Sequence, residues 1–477
     1  METDLRVLSD QEIAQVHERT LSILATKGVR VDTARGRKIL KAAGADVDNT
    51  NNIVRFPRAL VEEALRLAPK KFKLGGRRPK WEFPVNENQC TLLADGAAIY
   101  VMDTETEERR EPTFDDWLNA TRLIDALDEV GVYWSMVEAT FFQKTMGDSV
   151  RYWREMVSNF SKHLQDCSYT VEESRWMLEV LGTVFGGKQE MKKSNPFSFL
   201  LTPVSPLVIE EQHTDAYLET IEWGFPAAIM PMPLMGATAP ASLISTVMLS
   251  NCETLAMLCL IQAAAPGTPV IYAPAPSIVD PYTGRFTGGE VEHGLLGTAV
   301  IEMARHYGLP VEASAGNPGH YVPGVRSGYE RALNWTMAIL SWPDLLVGPG
   351  QLSGAMILSL EQVMIDVEIF RRCSRLSDGI NTSDEEWLEV DLAAVEHGGN
   401  FLGRRSTRKA MKSGEVYVSD FNARDSYENW AASGRPTLVD EVRESLREIL
   451  ATHQPLPLSE DIQRELDKIE KRARETE

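Results

Sequence analysis

Seven short apolar runs follow one another through the middle of this chain. They begin near Val132, Lys162, Pro196, Pro226, Thr268, Leu309 and Asp344, and several give way to a loop rich in Pro, Gly and Ser. Their spacing is that of one strand plus one helix. The loops at 202–206, 231–236, 273–277, 315–319 and 348–350 each follow a strand-like run and precede an amphipathic stretch. Such an alternation makes parallel strands flanked by helices, and in a closed parallel barrel the reactive groups sit on those loops. The expected fold class is α/β, a TIM (β/α)8 barrel. Its strands fall near 133–137, 162–166, 197–202, 227–231, 270–273, 311–314 and 345–348. The eighth strand is open between Arg375–Ile380 and Asn400–Leu402.

Before the barrel rhythm come three helical stretches. Ser9 begins the first, with Glu12 completing a capping box. The second runs from Asp32 to Ala43 and ends at Gly44. The third starts at Pro57, a residue suited to a first helical turn. Thr91–Leu93 and Ile99–Asp103 alternate as in a β-hairpin. The expected organisation is a mixed α/β cap region over 1–130, the barrel over 131–439, and a charged helical tail over 440–477 interrupted by Pro455 and Pro457.

Among bulk properties, the net charge of −20 matters most. It argues against nonspecific nucleic-acid binding, which needs a basic footprint. The most apolar stretch, Thr246–Ala265, carries Asn251, Glu253 and Gln262, so it reads as a buried helix and no membrane contact is expected. The acidic start is not followed by an apolar signal region. Five scattered cysteines without CxxC fit a reducing cytoplasm.

The motifs that usually announce chemistry are missing. The eight histidines form neither HxH nor HExxH, and His163 and Cys167 lie on a strand-to-loop segment, so no metal site is expected. There is no GxSxG, and Pro349 removes an N–H that an anion would use at Gly348–Gly350. The strand ends supply instead aromatic, small and amide groups: Glu138, Phe141, Gln165, Tyr272, Asn317, His320, Tyr321 and Gln351. Such a set suits a ligand with apolar and cationic parts, because ring faces attract a quaternary ammonium. Trp153, Trp176 and Trp223 sit in helix-like stretches and read as core.

Several segments, in order, carry a resemblance. They are Leu24–Val31, Ala43–Val47, Arg55–Ala64, Leu123–Leu127, Gly398–Leu402 and Ser406–Arg408. Together they resemble the trimethylamine methyltransferase family over nearly the whole chain. The resemblance implies a TIM-barrel subunit that moves a methyl group from an amine to the cobalt of a separate corrinoid protein. It also implies pyrrolysine in the loop after a late strand. The matching loop here is Ser314–His320, with Asn317 nearest the special position, and no residue is pyrrolysine. The likeness is therefore to the non-pyrrolysine branch, which is similar to glycine betaine and related quaternary-amine methyltransferases.

On that reading Glu138, Phe141, Tyr272, Asn317, His320, Tyr321 and Gln351 bind the substrate. Gly316, Gly319, Gly348 and Gly350 let a corrin approach closely. No cofactor is held permanently; cob(I)alamin or another corrinoid arrives on a partner protein, and a homo-oligomer is expected. No acid, base or nucleophile of the protein is required, because the leaving group is already a neutral amine. Two other readings stay open. One is a barrel lyase or metal hydrolase using Glu138, Asp166 and His320; the other is a betaine-binding sensor or carrier.

Overall fold

The computed structural model describes residues 5–476 apart from Lys80, Gln143, Asn422 and Ala423. Its centre is an eight-stranded parallel sheet: β1 (Thr91–Ala94), β2 (Val130–Tyr133), β3 (His163–Asp166), β4 (Phe197–Leu201), β5 (Ala227–Ile229), β6 (Val270–Tyr272), β7 (Glu312–Ala313) and β8 (Leu345–Val347). The order in the sheet is β6-β5-β4-β3-β2-β1-β8-β7. A parallel bridge from Tyr272 to Val311 brings the two edges together into the expected barrel.

The eighth strand is neither of the two expected segments. Arg375–Asp378 is the last turn of the helix Leu360–Asp378, and Asn400–Leu402 is irregular and exposed. The missing strand is β1, the first in the chain, which pairs in parallel with β2 and β8. All four of its residues are buried. A strand covered on both faces shows no polar alternation, so it reads poorly beside a hairpin pattern. The border at 130/131 therefore does not separate cap from barrel. Tyr100–Met102 pairs instead with Arg109–Arg110 and with Ile357–Leu358, in a small sheet beside the barrel. The strand placed near 133–137 lies earlier, at Val130–Tyr133.

Side chains alternate in and out of the barrel. Leu93, Val132, Leu200, Ala228, Ile271, Leu345 and Val347 share one interior cluster with Leu74, Phe83 and Val85. The last three come from the hairpin Lys73–Gly75 and Glu82–Pro84, which stoppers the end where the strands begin. His163 ties hairpin to barrel: its Nδ1 lies 3.1 Å from the Gly75 carbonyl and its Nε2 2.9 Å from Ser198 Oγ. Burial holds this imidazole neutral, down at about 4. Nδ1–H therefore donates to the carbonyl, and Nε2 accepts from the hydroxyl.

The N-terminal helix Asp10–Thr26 has the Ser9–Glu12 capping box. Ala34–Ala42 ends before Gly44, whose φ of 97° needs glycine. These helices pack against Leu243–Ala264, the one described helix long and apolar enough to cross a membrane, which is mostly buried inside the fold. Two helices, Leu438–Thr452 and Glu460–Glu475, form the tail and pack outside the barrel helices. Arg154 pairs with Asp467 at 2.7 Å and with Glu470 at 2.9 Å.

Lys162 closes the start of β3. Its buried ammonium donates to the carbonyls of Ile124 (3.3 Å), Leu127 (2.6 Å) and Val130 (2.6 Å). Burial pushes its pKa down to about 8, so it remains charged at neutral pH. Lys162→Met keeps the stem but leaves those carbonyls unpaired, and a loss of about 1.5–3 kcal/mol is expected. A shift of the urea midpoint at pH 7 with unchanged slope checks this; an unmoved midpoint refutes it.

Candidate active site

The mouth is built on the C-terminal strand ends. Over β2 and β3 it opens into a cavity of about 610 Å³. Trp134, Phe142, Tyr152, Trp153 and Tyr169 supply its aromatic surface, and Glu138, Asp166, Glu173 and Lys144 its charges. The rings hold one another edge to face: Phe142 and Tyr152 at 5.7 Å, Tyr152 and Trp153 at 5.4 Å. Sequence parity explains the sides. Gln165 faces the barrel interior, so Asp166 faces the helix Met146–Asn159 and meets Tyr152 there.

Asp166 is the most perturbed carboxyl of the cavity. Tyr152 O–H donates to its Oδ2, and the Cys167 amide donates to its Oδ1 at 2.7 Å. Burial nonetheless pushes it up to about 7, with nearby Glu138 adding repulsion. Burial and the neighbouring Asp166 also keep the Cys167 thiol protonated far above its ordinary range, which removes it as a nucleophile.

Beneath the mouth the barrel interior is rich in acceptors. Gln165 Nε2 donates to Glu312 Oε2 at 2.9 Å and to Ser198 Oγ at 3.3 Å. Burial raises Glu312 to about 8 and Asp95 to about 7. Asp95 Oδ1, Gln165 Oε1, Glu312 Oε1 and Gln351 Oε1 are buried without a hydrogen-bond partner. Glu312, raised above neutrality, keeps a proton it can donate, while the amide oxygens of Gln165 and Gln351 stay acceptors without a donor.

The loops after β7 and β8 form the other half of the rim. Arg331, fully buried, donates to Gly316 O (3.0 Å), Asn317 Oδ1 (3.1 Å), Gly348 O (2.7 Å) and Gln351 O (3.2 Å), and pairs with Asp366 at 3.3 Å. Gln351 then reaches across: its Nε2 donates to Asp95 O at 2.6 Å and Met136 O at 3.3 Å, linking this half to the ends of β1 and β2.

The residues expected from sequence fall into distinct places. Glu138 lines the cavity. Phe141 does not; it meets Phe114 edge to face and Phe142 at a tilt, and Phe142 takes the lining position. The two lie in the 3-10 turn Thr140–Phe142, where successive side chains point about 120° apart. Tyr272 points out of the barrel, because its neighbours Ile271 and Ala273 point in. Its hydroxyl donates to Asn251 Oδ1 at 3.0 Å under the helix Leu243–Ala264. It is therefore core and forms no part of a cage at the mouth. Arg331 gathers Asn317 and Gln351. His320 and Tyr321 lie at the outer end of the same loop, their rings 5.9 Å apart, with Tyr321 exposed.

The four glycines expected to admit a corrin mostly serve the chain itself. A Cβ on Gly316 would lie 2.4 Å from Gly288 O, one on Gly348 2.2 Å from Asn317 Oδ1, and one on Gly350 2.3 Å from Val363 Cγ2. All three also have positive φ. Only Gly319 has room beside it. Sequence reasoning missed Trp134, Lys144, Tyr152 and Tyr169. It also missed His293, whose buried ring lies under Gly316 with neither nitrogen hydrogen-bonded. The Tyr152–Asp166 spacing of fourteen residues carries no pattern by which it could be found. Among the described residues, no three His, Cys, Asp or Glu converge as a metal-holding group.

Comparison with known proteins agrees with this architecture. The monomethylamine methyltransferase MtmB of Methanosarcina barkeri superposes with a TM-score of 0.50 at 11% identity, covering 94% of this chain and 96% of that one, a likeness of fold. The trimethylamine methyltransferase MttB of Desulfitobacterium hafniense is 28% identical over 95% of this chain and 91% of its own. The glycine betaine methyltransferase of another strain of that organism is 26% identical over 96% and 95%. The profile of the family described as trimethylamine methyltransferase (MTTB) matches residues 2–477. This chain belongs to the trimethylamine methyltransferase family.

Proposed function

We propose that the protein transfers a methyl group from a small quaternary amine to the cobalt of a corrinoid carried by a separate protein. The observation that carries this reading is the cavity at the mouth, walled by aromatic rings with Glu138 and Asp166 on its surface. A quaternary ammonium finds both ring faces and negative charge there. Glycine betaine is the best single candidate, since a relative of that name spans nearly the whole chain. Asn317, His320 or Lys144 would offer donors to its carboxylate.

The chain has no pyrrolysine, and at the matching position Asn317 is engaged by Arg331. A quaternary amine needs no imine-forming residue. Its C–N bond breaks with the electron pair staying on nitrogen, so the departing amine nitrogen is neutral and no protein proton has to move. The partner's reduced corrin would supply the nucleophile and accept the methyl group. What falls to this chain is to strip water from the ammonium, aim one methyl out of the mouth, and leave the rim open for the acceptor.

The substrate class is tested with free cob(I)alamin and the purified chain, following the methylcobalamin spectrum. Quaternary amines should react and tri-, di- and monomethylamine should not. Efficient turnover of trimethylamine would overturn the proposal.

The cation site has a pH signature. Asp166 sits at about 7, so its neutral form prevails below that pH and the anion above it. Affinity for the ammonium is expected to rise as pH climbs through 7, by about tenfold if the bound cation shifts the carboxyl by ~1 unit. Asp166→Asn should flatten the step; a step that survives the substitution assigns it elsewhere. Tyr169, exposed at the cavity edge, gives a ring test with little risk to the fold. Tyr169→Leu should weaken quaternary-amine binding by roughly 0.5–2 kcal/mol, and an unchanged Kd by calorimetry would remove this ring from the site.

A further inference from the structure

The cavity wall over β2 and β3 is also supported from outside. The helix Met146–Asn159 contributes Ser149, Tyr152 and Trp153 to the cavity. Gly147 and Arg154, two turns apart, lie on its opposite side, and both meet the tail helix Glu460–Glu475. Arg154 takes Asp467 and Glu470, and Arg474 packs on Gly147, so the two helices run antiparallel.

The same tail helix holds the next wall. Arg472 pairs with Glu179 of the helix Val171–Phe185, and its guanidinium lies 5.7 Å from the centre of the Trp176 ring. Glu173, in the first turn of that helix, lines the cavity. Leu466, Ile469 and Ala473 form the buried stripe of the tail helix, at the spacing of one helical face. One helix therefore spans the backs of both helices that wall the cavity.

The contact at Gly147 is tight. A Cβ there would lie 2.3 Å from Arg474 Cγ, and the three nearest atoms all belong to Arg474. Gly147 is buried in the first turn of a regular helix, so the arginine stem, not the backbone, calls for glycine. Arg474 Nη2 also lies 3.6 Å from Asp148. A cation at a helix N-terminus meets the positive end of the macrodipole, and the acid offsets that repulsion. The Asp148 amide in turn donates to Thr145 Oγ1 at 3.1 Å, and Lys144, Thr145 and Met146 line the cavity. Arg474 thus grips from outside the turn whose inner side is the cavity edge.

We propose that the tail helix braces the cavity wall and that Arg474 is a positioning residue for the amine site, acting through the first turn of Met146–Asn159. Its effect on binding rests on the reading of that cavity as the amine site; the brace itself does not.

Amide hydrogen exchange and calorimetry with tetramethylammonium and with glycine betaine test the two parts separately. In Arg474→Ala, exchange over 145–153 should quicken, while exchange over Val325–Ile339, across the barrel, stays native. The Kd for both compounds should rise about five- to tenfold. The urea midpoint should hardly move, because the ion pair lost is a surface one. Arg474→Lys keeps most of the stem and the charge and should restore most of the affinity. Gly147→Ala should reproduce the loss in the native chain, since its methyl displaces the arginine, yet add nothing in Arg474→Ala. At an unhindered helical position the same change would be neutral or stabilising. Native exchange and native Kd in Arg474→Ala, or additive losses in the double variant, overturn the proposal. Faster exchange with a native Kd overturns the role at the site and leaves a structural clamp. A native chain that binds neither compound removes the amine reading, and the exchange pattern of the same variants then decides the brace.

Discussion

The rim of this barrel depends on one guanidinium. Arg331 is fully buried, a costly place for a charge, and it remains there because both of its terminal nitrogens are occupied. It holds the loop after β7 through Gly316 and Asn317, the loop after β8 through Gly348 and Gln351, and the Asp366 carboxylate behind them. Trp335, one helical turn on, covers its face at 4.7 Å. The loop after β7 has no secondary structure to fix it and the loop after β8 only a two-residue ladder, Gln351–Leu352 against Ile357–Leu358, so the spacing between them is set from below by the guanidinium plane. Gln351 carries that spacing across to β1 and β2.

With the rim fixed, the mouth divides its labour. One side gives walls and charge over β2 and β3; the other gives small residues pressed together until little space remains. Tyr152 shows how the two demands meet: its ring belongs to the aromatic wall and its hydroxyl steadies Asp166. Burial raises the carboxyl's pKa and outweighs the Tyr152 hydrogen bond, which pulls it down, so Asp166 is oriented by the ring's hydroxyl yet rests at about 7.

Seven of the eight strands were legible because an apolar run followed by Pro or Gly is a strong local signal. β1 was not, since its Thr-Leu-Leu-Ala gives way to Asp95-Gly96 beside a true antiparallel pair. Site residues were legible only where direction did not matter. Glu138 does line the cavity, but Tyr272 misses it by one position of strand parity and Phe141 by one step of a 3-10 turn. The glycines of the rim were read as openness, and their neighbours show them to be crowded by this chain. The cavity wall beyond Glu138 comes from a helix and a turn whose sequence looks like ordinary amphipathic surface. Its meaning appears only when two strands place it.

The hairpin carrying Leu74, Phe83 and Val85 has a kinetic consequence. By filling the end where the strands begin, it leaves the opposite end, where the strands finish, as the door of the barrel. In the proposed reaction the amine would enter by that door, the methyl group would leave by it, and the demethylated amine would have no back exit. In the proposed reaction the acceptor protein stands in the doorway while the bond is broken. The spent amine therefore waits for the acceptor to step away, and the order of departures is written into a stopper that touches neither of them.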